Sequence, residues 1–128
     1  VKIFVMPACF KISFQDFTST LIDHEYIHAE HVKFGIKFDK HNEYNYLMWS
    51  EYSVDTVLLL DESIAYNVTL IKAREKKNHS KFIEDSKNIL QKITTELKKI
   101  SKYTSVAEEN AVKSQIQKNE KVLSYSST

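Results

Sequence analysis

Residues 21–31 read LIDHEYIHAEH and gather three of the chain's five histidines into eight residues. Within them His24-Glu25-Tyr26-Ile27-His28 is a complete HExxH. Read as a helix, the i, i+4 spacing brings both imidazoles to one face with β-carbons about 6 Å apart, close enough to grip one metal ion. Glu25 then projects near the same ion without ligating it, where it can take a proton from water. The flanks support a helix. In TSTLIDHEYIHAEHVKFG, Thr20 followed by Asp23 resembles a capping box, and Gly35 suits the left-handed residue just past a helix end. The competing reading is a polar face of an ordinary surface helix that happens to be rich in histidine.

The rest of the chain narrows the choice. With 128 residues, 42% of them hydrophobic, it can bury one sizeable core but not two, so a single domain over 1–128 is expected. The formal charge of +1, from 18 basic and 17 acidic residues interleaved along the chain, leaves no footprint for nucleic acid or an anionic membrane. The longest apolar run, VLLL at 57–60, is far too short to span a bilayer, and the first residues show no basic stretch leading into an apolar signal region. A soluble protein of unknown compartment is expected. The single cysteine, Cys9, permits neither an intramolecular disulfide nor a thiolate zinc site, so any metal must be held by histidine and carboxylate.

One glycine and one proline argue for long helices with few tight turns. The exception is the beginning, where VKIFVM and FKISF alternate apolar and polar residues around Pro7 and read as one or two short strands. The expected class is therefore α+β, mostly α. After the motif helix, 36–52 is irregular and aromatic, with one short helix near 43–51. Ser53 caps a second long helix over roughly 54–77, in which Leu59, Glu62, Tyr66 and Thr69 share a face beside Leu58, Ala65 and Val68. A third helix over about 81–102 carries Phe82, Ile89, Ile93, Leu97 and Ile100 at helical spacing, and Ser105 with Glu108 opens a weaker fourth. Asn67 and Asn78 head glycosylation sequons that read as chance matches.

Catalytic zinc wants three protein ligands, and two histidines with one glutamate is a standard set. His31 lies on the motif face, but seven residues of helix rise set it about 10 Å along the axis from His24, too far for one ion. A carboxylate from a second helix is the better supply. Glu62, within LLLDESIAYNVTL, is an acidic residue flanked by Leu58, Leu59, Ala65 and Tyr66, costly to bury unless paired or bound to a cation. Asp61 competes with it, and Glu43 and Glu51 follow.

His24-Glu25-x-x-His28 with a later Glu62-x-x-Ala65-Tyr66 resembles a small gluzincin, the zinc metallopeptidase group named for its glutamate third ligand. The resemblance implies a zincin-like minimal core over 1–77, in the order strand, motif helix, loop and glutamate helix, with 78–128 as a C-terminal helical extension. It implies zinc held by His24, His28 and Glu62, with Glu25 as general base and acid. The strand near 10–14 would be the edge along which a peptide or protein substrate pairs. Thermolysin-like members carry an acidic residue one turn after the ligand glutamate, where it orients a histidine; this chain has Tyr66 there. Tyr66 is instead a candidate for stabilising the oxyanion, as are Tyr52 and Tyr103. Two other functions fit the same residues: a zincin-like binding module without turnover, and a metal-free helical interaction domain. The oligomeric state is not legible.

Overall fold

The computed structural model describes residues 16, 18–34, 36 and 52–125. A π-helical segment, Ser19–Glu25, runs without a break into α1 (Tyr26–Phe34), and Asp16 and Thr18 ahead of it are already helical. Three long helices follow: α2 (Val54–Glu75), α3 (Ser80–Lys98) and α4 (Val106–Ser124). Every element among the described residues is a helix, and none is a strand. The α+β expectation is thereby corrected to α-helical: the apolar face of α2 is covered by α3 and α4, and no sheet is needed to bury it. The strands expected at 1–6 and 10–14, the peptide-pairing edge at 10–14 and the short helix near 43–51 lie outside the described residues, as do Cys9, Glu43 and Glu51.

Local chemistry sets the ends of the long helices. Ser53 is extended (ψ 150°) and its hydroxyl accepts from the Thr56 N–H, as a capping serine does. Beyond α2, the N–H of Lys77 bonds the Arg74 carbonyl and that of Asn78 bonds the Ala73 carbonyl, the paired closure of a Schellman turn. That closure needs a left-handed residue, and in a glycine-poor chain the place falls to Lys77, at φ 54°. The third helix stops at Lys98, short of the expected 102, and α4 persists to Ser124.

The core lies where α2, α3 and α4 meet. Leu60, Leu97, Ala111 and Val112 pack with Ile36 and Tyr52, and Val57, Ile64, Ile93, Ile100, Tyr103 and Ile116 close around them. Glu108 joins two helix starts beside this core. It is 1% exposed, and its carboxylate accepts from the N–H of Ser53 at 2.7 Å and from that of Thr104 at 3.0 Å. Glu108→Ala would take the acceptor from two part-buried N–H groups and truncate a buried side chain, so a loss of about 1 to 3 kcal/mol in unfolding free energy is expected, read by urea denaturation. A change within 0.5 kcal/mol would contradict this role.

The motif segment is held to the turn that follows α2 by polar contacts. Asn78 donates to Asp16 Oδ1 at 2.7 Å and meets Ser19, and Lys76 Nζ reaches Asp23 Oδ2 at 2.8 Å. The buried residues of the π segment are Ser19 and, four and five residues after it, Asp23 and His24. Bonding of the i→i+5 kind widens the turn and lets residues at such spacings share one face, and the Tyr26 N–H does bond the Leu21 carbonyl five residues back. Thr20 is therefore no cap: it lies inside the helical run, and its hydroxyl donates to the Asp16 carbonyl at 2.9 Å.

Candidate metal centre

The widened turn ends at Glu25, so His24 leaves the π segment and His28 the first turn of α1, both towards α2. His24, His28 and Glu62 each offer one ligand atom within 4.8 Å of the other two. The two histidine Nε2 atoms are 3.3 Å apart, and His28 Nε2 is 2.7 Å from Glu62 Oε1. Donors placed 2.0 to 2.1 Å from one ion at tetrahedral angles stand about 3.3 Å from each other, so the histidine pair already has the edge of a zinc tetrahedron. The shorter edge to Glu62 is a hydrogen bond, which an ion would replace.

Each histidine has its second nitrogen occupied. His24 Nδ1 is 3.2 Å from Thr69 Oγ1. That hydroxyl has one proton and two carbonyl acceptors, Ala65 at 2.7 Å and Asp23 at 3.1 Å, so it accepts from the His24 N–H. The tautomer follows: His24 carries its proton on Nδ1 and turns the Nε2 lone pair to the site. His28 Nδ1 is 3.0 Å from Asp61 Oδ1. A carboxylate behind a histidine that faces a metal position makes that histidine a stronger donor and fixes its ring. The acidic residue absent one turn after Glu62 thus has a counterpart one residue before it. The same Asp61 oxygen also contacts His31 Nδ1. His31 stays out of the first donor group, and a second group of His28, His31 and Asp61 stands beside it.

Burial and charge separate the two imidazoles. His24, 7% exposed, has its pKa lowered, by burial first and then by the charge of His28. His28 is raised to about 10, chiefly by its hydrogen bonds to Asp61 and Glu62. Burial pushes Asp61 up, but hydrogen bonds from His28 and His31 outweigh it and hold the carboxyl at about 2. Without metal, His28 is therefore an imidazolium clasped between two carboxylates. A raised folded pKa contributes stability that is complete below about 6.5 and lost as pH rises through about 10. The melting temperature of chelator-treated protein is accordingly expected to fall between those limits, and by less in His28→Gln; equal pH profiles for the two would remove His28 as the cause.

The other expected residues surround this group. Glu25 Oε1 lies 4.0 Å from His24 Nε2, and the side chain is 47% exposed, close enough for proton transfer to bound water yet outside the donor triangle. The Tyr66 ring packs on that of His24 at 4.2 Å, and burial, then the charges of Glu62 and Glu25, push its phenol up, so it remains a hydrogen-bond donor. Tyr52 and Tyr103 belong to the core instead. Glu62 is not the enclosed carboxylate its apolar neighbours suggested. Its side chain is 44% exposed, because the group faces His28 at the edge of α2, and Leu58 is itself 57% exposed. Sequence reading missed Thr69 and the orienting place of Asp61. The expected third helix, α3, was not assigned to the site, yet its Phe82, Asp85, Ser86 and Ile89 form one side of a cavity of about 190 Å³ whose other side includes His24, Glu25 and Tyr66.

Compared with known protein families, curated proteins and solved structures, the chain has no match. No helix among the described residues is long and apolar enough to cross a membrane.

Proposed function

We propose that this chain is a zinc-dependent peptidase, with the ion held by His24, His28 and Glu62. The observation that carries the reading is the convergence of these three donors, each histidine with its far nitrogen engaged, beside the half-exposed carboxylate of Glu25. Two imidazoles and a carboxylate suit zinc, which supplies Lewis-acid polarisation of a carbonyl and acidifies water. Glu25 accepts the proton of the attacking water at its carboxylate and passes it to the leaving amine. The Tyr66 phenol donates a hydrogen bond to the charge that develops on the carbonyl oxygen. Thr69 and Asp61 touch neither substrate nor ion; they hold the two imidazoles in the tautomers the site requires.

The test begins with metal content of protein purified without an affinity tag. One zinc per chain is expected, and zinc at about 100 times its Kd should raise the melting temperature by about 10 °C, corresponding to about 2.7 kcal/mol. Glu62→Ala should abolish most of that shift. A parent protein that takes up no zinc would favour a second reading, to which the doubly paired His28 already points: a metal-free clasp joining α1 to α2 in a helical interaction domain.

A further inference from the structure

The cavity beside His24 has a distinct chemical character. Its apolar surface comes from Phe82 and Ile89 of α3, seven residues apart on one helix face, and from the Tyr66 ring across from them. The charged groups among its described lining residues are both acidic: Glu25 on the motif side and Asp85 on the α3 side, with exposures of 47% and 55%. No lysine or arginine is among its described lining residues. The counter-charge to Asp85 is Lys81, one turn back on the same helix at 3.2 Å, with its own side chain 86% exposed. An exposed pair of that kind is weak and screened by salt, so it yields readily to a competing cation.

We infer that this cavity is a subsite for a lysine or arginine side chain of a bound peptide, its aliphatic stem against Phe82 and Ile89 and its charge at Asp85. Long basic side chains are suited to such a place, because their methylenes cover apolar surface while the head group stays at the wet rim. An acidic side chain would meet two carboxylates there. A purely apolar one would cover the floor but leave Asp85 to Lys81. The assignment rests on the peptidase reading for its purpose, and it names the substrate class: peptides with a basic residue near the bond to be cut.

The experiment uses three acetylated, amidated pentapeptides that differ only at the central residue, lysine, norleucine or glutamate. Their binding is titrated by calorimetry to zinc-loaded and to chelator-treated full-length protein, with cleavage followed in parallel. The parent should bind the lysine peptide about tenfold more tightly than the glutamate peptide, with norleucine between them. Asp85→Lys, a change at an exposed position, should reverse the order, and the preference should persist after chelation and shrink in high salt. Equal binding of the three, binding of none, or a lysine preference that survives Asp85→Lys overturns the inference. A charge preference without cleavage of any peptide upholds the subsite and removes the peptidase reading. Cleavage indifferent to the central residue does the reverse.

Discussion

Glu25→Gln is expected to leave one zinc per chain in place while lowering peptide cleavage by roughly 10²- to 10⁴-fold, the usual contribution of a positioned general base. Glutamine keeps the size of the side chain and much of its hydrogen bonding but cannot accept a proton at neutral pH. The separation of the two effects follows from geometry. Glu25 stands 4.0 Å from His24 Nε2 and is not among the converging donors, so an ion would not depend on it. Zinc content by elemental analysis, with cleavage of a peptide library by parent and variant, makes the comparison. A variant that loses its zinc as thoroughly as Glu62→Ala would make Glu25 a ligand or a structural residue and end the proposed mechanism.

His28→Ala should have the largest effect on metal binding, because His28 is the donor adjacent to both of the others, 3.3 Å from His24 and 2.7 Å from Glu62. Loss of a ligand is expected to exceed the roughly 10- to 100-fold losses typical of residues that merely orient one. Asp61→Asn should fall within that range, since it removes the charge behind His28 Nδ1. His31→Ala should cost less than tenfold, because His31 meets the centre through Asp61 and supplies no atom to the first donor group. The metal-free protein should also suffer from His28→Ala, by about 2 kcal/mol, since Asp61 and Glu62 would then face each other's neighbourhood without the imidazolium between them. Competition with a chelator of known affinity ranks the three variants. If His31→Ala proves as damaging as His28→Ala, the ion occupies the neighbouring group of His28, His31 and Asp61 instead.

Both results would test a site only partly legible in the chain. The HExxH spacing, the serine caps at Ser53 and Ser105 and the apolar periodicity of α3 are local patterns, written within one or two helical turns, and a linear reading recovers them. The shortage of glycine likewise pointed to long helices. Alternation near the N-terminus pointed to strands in a stretch outside the described residues; the described elements are all helical, and the face of α2 has its cover in α3 and α4. The π-helical turn escaped notice for a related reason: it serves contacts from Ser19, Asp23 and His24 to residues of α2 and the turn after it, about half the chain away.

What the chain determines by itself is an inventory of helices and a pair of histidines on one helix face, since spacing along a helix is a matter of its own geometry. Which nitrogen of each imidazole is free, which carboxylate stands in front of His28 and which behind, and what walls the cavity next to Glu25 are decided only when distant helices meet. Thr69 is 45 residues from His24, and Asp61 is 30 from His31. Hydrogen-bond partners at such separations are selected by the packing of α1 on α2, in which a rotation of α2 by about 100°, the step between neighbouring residues, would exchange one carboxylate for the other, and no local periodicity records that angle.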